Sequence, residues 1–393
     1  MRLSKRQTGI AGIIVLMIGI GLWAVLPKSG ASAVPADLPV TKNTAHESQA
    51  PPVIAAAKLV KTSDLWTRPS AEVASRNSRR SGFAWILGQL GATEDQLNRL
   101  ADLDIAGVIR ELKRKAQDGD PASINILGEI AYQNCYLGRD DPVVQGFVDS
   151  QIRDVQAVPA IDASWFSAVM QDDLAFYKKV HAACSEVDRD QVMSWVKARA
   201  DQGDGASLWL MFRDAGSMAE MQPRLREAAA AGFPQAQFEL AGAIIAGQQG
   251  AAGTGTEKNN AGELLQASQT QLATSEQQLA FCEYSGCDGV AVDVAAAITH
   301  AREAAQRGAI DAVLAIGPNL PAGQISPDEV TAWGLVQASL QQQGCGGNGF
   351  SVRTMKSITG TLNANNISAQ ARVLAERYWQ EYGAQMLANI GCI

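Results

Sequence analysis

One spaced pattern of small residues recurs four times along this chain, and it restricts the fold more than any other feature. It reads Ala-x-x-Gly-x-x-x-(Ala/Ser)-x-x-x-(Leu/Met/Ile), with glycines at Gly119, Gly203, Gly232 and Gly308. Ala116, Ala200, Ala229 and Ala305 precede those glycines by three, and Ser123, Ser207, Ala236 and Ala312 follow by four. Leu127, Met211, Leu240 and Ile316 complete the copies. The glycine supplies the left-handed residue that ends a helix. The small residue lets the next helix approach closely, and the aliphatic one lies on the same face one turn further on. Each copy is therefore the turn of an αα-hairpin. Composition agrees: 64 of 393 residues are alanine and aromatics make up only 6%, which suits closely packed helices rather than sandwiches or barrels.

Around the first copy the reading extends outward. Thr93-Glu94-Asp95-Gln96 forms a capping box. Ile105, Val108, Ile109, Leu112 and Ala116 then recur at helical spacing up to Gly119, and Asp120-Pro121 opens the next helix. The glycines lie 84, 29 and 76 residues apart, and a unit of about 40 residues fits the long gaps as degenerate double repeats. Beyond the repeats, Ser326-Pro327-Asp328-Glu329 starts a helix that runs to about Gln343, Gly344–Gly349 breaks it, and a last helix spans Ser368 to Leu387. The expected architecture is all-α: a folded body from 81, helical-hairpin repeats to 320, and a C-terminal helical cap over 321–393.

Two segments carry the resemblance to a known family. Residues Arg226 to Leu240 (Arg-Glu-Ala-Ala-Ala-Ala-Gly-Phe-Pro-Gln-Ala-Gln-Phe-Glu-Leu) resemble Sel1-like repeats, relatives of tetratricopeptide repeats, and Ala301 to Gly308 resembles the second helix of the same unit. The resemblance implies an α-solenoid that holds protein partners and has no active site of its own. The regular Gly-Val and Lys-Ala elements of such repeats are largely missing here, which implies an irregular solenoid.

The N-terminus reads as an address. Arg2, Lys5 and Arg6 precede an uncharged run from Thr8 to Leu26, long enough to span a bilayer, and Ala31-Ser32-Ala33 offers a cleavage site. Residues 1–33 are read as a signal anchor held in the inner membrane through 8–26, or as a signal peptide cleaved after Ala33. Either way the positive charges keep the N-terminus cytoplasmic and send the rest to the periplasmic side. Pro35, Pro39, Pro51 and Pro52 sit among small polar residues, so 34–80 reads as a flexible linker. With 33 basic against 40 acidic residues the chain carries −7, which excludes a nucleic-acid partner.

Six cysteines, Cys135, Cys184, Cys282, Cys287, Cys345 and Cys392, follow the export segment. An even count in an oxidising compartment favours disulfides. Cys345 with Cys392 is the pairing expected here, because a glycine-rich break beside a helix accommodates disulfide geometry and a bridge would hold the chain end. Cys287 with Cys345, Cys282 with Cys287, and a free Cys392 remain as alternatives. No zinc spacing of the CxxC kind occurs. His46, His181 and His300 are the only histidines. His300 reads as a solvated helix-face residue, and a Cys184–His181 nucleophile is disfavoured by oxidation of the thiol. The acidic pairs Asp140-Asp141 and Asp172-Asp173 read as helix starts or solvated loops. No catalytic, cofactor or metal residues are therefore assigned. The function expected is a non-catalytic adaptor for an envelope protein or peptide. The alternative is an envelope enzyme or wall-glycan binder with its site in the irregular segments 136–190 or 340–366, where Trp165, Phe166, Phe176 and Tyr177 would stack on sugar.

Overall fold

The four repeat glycines sit where a helix has to reverse direction, with φ of +87°, +85°, +83° and +100° in chain order. Each glycine N–H donates to the alanine carbonyl three residues back, from Gly203 to Ala200 at 2.9 Å and in the other copies at 3.0 Å. The following N–H reaches back five residues, from Asp120 to Lys115 and from Ala309 to Ala304, for example. This pair of bonds satisfies carbonyls that a helix end otherwise leaves without partners. All four preceding alanines and all four following small residues are buried. Among the aliphatic positions Leu127, Leu240 and Ile316 are buried, whereas Met211 is only half-buried and Leu210 beside it enters the core.

The computed structural model describes residues 61–136, 141–246, 261–287, 289–321, 323–346 and 350–393. The segment 8–26, the Ala31–Ala33 site and residues 34–60 of the expected linker lie outside them. Eighteen α-helices form among the described residues. In chain order they are α1 (Thr62–Trp66), α2 (Ala71–Leu87), α3 (Glu94–Ala101), α4 (Ile105–Gln117), α5 (Pro121–Ile130) and α6 (Asp141–Gln156). Next come α7 (Ala163–Ala183), α8 (Arg189–Ala200), α9 (Gly205–Arg213), α10 (Met218–Ala230), α11 (Pro234–Ile245) and α12 (Ala261–Gln269). The last six are α13 (Ala273–Ser285), α14 (Val294–Gln306), α15 (Asp311–Ile316), α16 (Pro327–Gln342), α17 (Val352–Leu362) and α18 (Ala369–Asn389). Among the described residues, no helix is long and apolar enough to cross a membrane.

The unequal glycine spacings have two different causes, and only one matches the expectation of doubled repeats. Helices α5 and α8 pack against each other, although α6 and α7 lie between them in sequence. Cys135 and Cys184 close the base of that excursion with a disulfide, their Cα atoms 5.4 Å apart. Taking the 48 residues between those cysteines out of the 84-residue spacing leaves 36, the length of one helical-hairpin unit. The 84-residue gap is therefore one repeat with an inserted hairpin. The 76-residue gap does hold two repeats, and Ser268, Gln271, Ser275 and Leu279 occupy the pattern positions of the hidden turn between α12 and α13. Ser268, Ser275 and Leu279 are buried, and the Ser268 hydroxyl donates to Ser275 Oγ at 2.8 Å.

The linker expectation fails for residues 61–80. These residues form α1 and most of α2 and join the first helices to the last. Ser70 caps α2 by accepting from the Val73 N–H. The face of α2 that turns inward is small and polar, with Ala74, Ser75, Arg79, Arg80 and Ser81 all buried. It lies against two copies of one C-terminal motif, Leu-x-x-x-Gly-Cys, at Leu340–Cys345 and Leu387–Cys392. Both motifs end a helix: Gly344 has φ +83° and Gly391 φ +73°, and the cysteine N–H donates back to the leucine carbonyl at 2.9 and 2.7 Å. The Cys345–Cys392 disulfide joins the two motifs. Asn77 Nδ2 donates to Gln343 O at 2.9 Å, and the buried Arg80 guanidinium donates to Gly391 O, to Glu94 and to Asn98. At the neighbouring end, Trp379 Nε1 donates to Lys61 O at 3.1 Å. The segment 61–87 thus acts as a clasp across the ends of the helical array.

Candidate functional site

The inserted hairpin is where the sequence placed possible sugar-stacking aromatics. Helix α7 buries Trp165 and Phe166, and Trp165 Nε1 donates to Pro69 O at 2.9 Å. Phe176 is half-buried and meets Phe83 edge-on at 5.6 Å. Of the four aromatics only Tyr177 is exposed. The apolar stripe of α7 builds core, so these side chains form no stacking platform. The segment 136–190 is accordingly not irregular: α6 and α7 fill most of it.

The polar residues of the hairpin also differ from expectation. Asp141 begins α6, whereas Asp140 lies outside the described residues. Asp172 and Asp173 are neither helix starts nor solvated, since they lie inside α7 and face α2. Asp172 pairs with the buried Arg79, and Asp173 accepts from Ser75 Oγ at 2.7 Å. Burial, opposed by the Ser75 hydrogen bond, pushes the Asp173 carboxyl up to about 6. Cys184 is disulfide-bonded, so it supplies no thiolate to His181. His300 is half-buried and not solvated: its Nδ1 lies 2.7 Å from the buried Glu283 carboxylate, which raises the imidazole pKa.

A row of polar side chains links helices that follow successive repeat turns. Arg213 on α9 donates to both oxygens of Glu129 on α5, at 2.8 and 2.6 Å. The Arg213 guanidinium lies over the rings of Trp209 and Tyr132, at 4.6 and 4.8 Å. Trp209 Nε1 in turn donates to Glu239 on α11 at 3.2 Å, and Gln235 Nε2 donates to the same carboxylate at 2.9 Å. Burial raises the Glu239 pKa. Asn125 on α5 and Ser207 on α9 share Asp204, the residue that caps α9. These contacts satisfy charges that burial would otherwise make costly, and they fix the register of one hairpin on the next.

The two segments singled out for a possible site do meet. Ala160–Asp162, just before α7, and Met355–Asn363, along and just after α17, line a cavity of about 310 Å³, completed by Trp66, Arg68, Gln342 and Arg372. Asp162 carries two roles at its edge. It caps α7 by accepting from the Trp165 N–H at 3.0 Å, and it accepts from Arg68 Nη2 at 2.7 Å. Both bonds, the backbone one foremost, hold its carboxyl below the usual range. The Arg68 guanidinium lies 5.2 Å from the Trp165 ring centroid. The sequence marked the segments 136–190 and 340–366 but not their meeting, because the lining comes from five separate stretches of chain.

No family model matches the sequence, and no curated protein matches it. One solved structure to which the chain is similar is that of a protective antigen of uropathogenic Escherichia coli strains displaying an SLR fold. It is 15% identical, the match covers 71% of this chain and 73% of that chain, and the TM-score is 0.29. So distant a likeness carries no argument about this chain. Its class rests on its own geometry: an all-helical protein of stacked αα-hairpins, as expected of Sel1-like repeats, closed by a helical clasp and three disulfides.

Proposed function

We propose that this chain is a non-catalytic scaffold of the bacterial-type cell envelope that holds another envelope protein on its helical frame. The observation that carries the reading is the inserted hairpin. Val143 and Phe147, one turn apart on α6, are 53% and 47% exposed, while Val148 and Val155 of the same helix face the core. A helix turned half outward with large apolar side chains, held at its base by a disulfide, suits a partner that docks on a preformed face. The charged side chains of the repeats are engaged in ties between helices, as Arg213 with Glu129 and Arg302 with Glu329 illustrate. Three disulfides fit an oxidising compartment, and the N-terminal apolar run supports export or tethering.

Cross-linking in intact envelopes followed by pull-down tests the proposal. Val143→Ser with Phe147→Ser is expected to lose the partner that the unaltered chain captures. Equal capture by both sinks the docking face. A reporter fused after Ile393 is expected to be active only outside the cytoplasm, and cytoplasmic activity overturns the envelope assignment.

A further inference from the structure

We propose that the cavity between the inserted hairpin and the C-terminal helices binds a small aliphatic monocarboxylate, with Arg372 as the group that receives the carboxylate. The lining is mostly polar, and Ile161, Met355, Ile358 and Leu362 supply its apolar part. Gln342, Thr359 and the exposed Asn363 and Arg372 also line it, and none of the four has a side-chain hydrogen bond or ion pair among the described residues. Unengaged polar groups beside apolar side chains in one concavity are what a small-ligand site needs. A volume of about 310 Å³ lies at the small end of such sites and suits a ligand the size of an acylated amino acid.

Charge selects the ligand class. Arg68 is neutralised by Asp162 at 2.7 Å, which leaves Arg372 as the uncompensated charge of the lining. Glu376, one turn further along α18, does not line the cavity and instead accepts from Trp66 Nε1 at 3.2 Å. One net positive charge matches a monocarboxylate better than a phosphate dianion. Arg372 is also positioned in advance, because its guanidinium lies over the Trp66 ring, 5.7 Å from the centroid, an arrangement that holds the planar fork while leaving its N–H edge open. A carboxylate accepts two parallel N–H bonds from that edge, and its aliphatic body lies against Ile161, Met355, Ile358 and Leu362. Val143 and Phe147 do not line this cavity, so the inference stands apart from the scaffold reading.

The test is calorimetric titration of the full chain, disulfides intact, with N-acetyl-leucine and with Gly-Gly-Leu, each as free acid and as amide. Both probes share the carboxylate next to an aliphatic side chain. The acids are expected to bind about tenfold or more tightly than the amides. Arg372→Gln is expected to lose that preference with an unchanged melting curve, and Arg372→Lys to regain part of it. Binding by the tripeptide acid alone identifies the ligand as a chain terminus, and binding by both acids identifies a free small acid. Either result supports the site. Equal binding of acid and amide, no saturable binding of either acid, or full acid preference in Arg372→Gln overturns it.

Discussion

Gly344→Ala, set beside Gly232→Ala, isolates what the clasp contributes to stability. Both glycines have φ +83° and both occupy the same position of the same helix-ending turn. The backbone cost of placing an L-residue there is therefore common to the two variants, about 1–2 kcal/mol. Their surroundings differ. A Cβ on Gly232 meets nothing within 4 Å, whereas a Cβ on Gly344 falls 2.0 Å from the Ala74 carbonyl oxygen and 3.1 Å from the Ser78 nitrogen. Both of those atoms are α2 backbone, so no side chain can swing aside, and α2 has to retreat by about 1 Å or more. Displacing an element in a close-packed interior costs roughly a further 1–3 kcal/mol. Gly232→Ala should lose about 1–2 kcal/mol in urea unfolding, and Gly344→Ala about 2–5 kcal/mol. Limited proteolysis should then cut Gly344→Ala first within 61–91. Losses that agree within about 0.5 kcal/mol, with no new cleavage there, would refute the clasp.

Three further perturbations address separate contacts. Burial raises the Asp173 carboxyl to about 6, so the stability it contributes is complete below its unfolded value near 4 and is lost as pH rises through 6. Asp173→Asn, which keeps an acceptor for Ser75, should gain about 3 kcal/mol at pH 7 and close to nothing at pH 3.5, read from urea midpoints at the two pH values. Replacing Cys135 and Cys184 together by serine should cost up to about 4 kcal/mol for a loop of that length, and should expose 136–183 to protease before the repeats. Arg213→Ala leaves the buried Glu129 without its partner and should cost about 3–5 kcal/mol, whereas Arg213→Met with Glu129→Gln should recover more than half of that loss. Additive losses in that pair would show that the two residues are not coupled.

The repeat turns were legible because their chemistry is local: a left-handed glycine and the small residues flanking it show in the order of residues alone. The copy at Ser268 and Gln271 was not, since neither the alanine nor the glycine of the pattern survives there. The 84-residue gap misled for a different reason. The signal of an insertion was the cysteine pair flanking it, and cysteine order does not reveal pairing. Helix α2 escaped because its inward face is Ala, Ser and Arg rather than aliphatic, so no hydrophobic periodicity announces it. Ser75 and Arg79 answer to Asp173 and Asp172, more than 90 positions away, and Ala74 and Ser81 to Gly344 and Gly391, more than 260 away, and sequence reading has no access to such partners. The same holds for the cavity, where Arg68 and Arg372 meet only through tertiary packing.

The clasp also orders events in time. Arg80 and the Gly391 carbonyl are 311 residues apart, so bringing them together costs about 2 kcal/mol more loop entropy than closing one 36-residue hairpin. A chain that emerges from the ribosome or a translocation channel N-terminus first presents α2 long before the Gly344 and Gly391 turns that it covers exist. The hairpins can build on one another as they arrive, each meeting a neighbour already in place. Helix α2 can settle on α3 and α7 as they arrive, but its bonds to Gln343 and Gly391 wait until the chain end has appeared. The first of the described segments to be made is thus among the last to complete its contacts. A chain cut short by a handful of C-terminal residues would loosen at its beginning, where Arg80 would lose the Gly391 carbonyl while keeping Glu94 and Asn98.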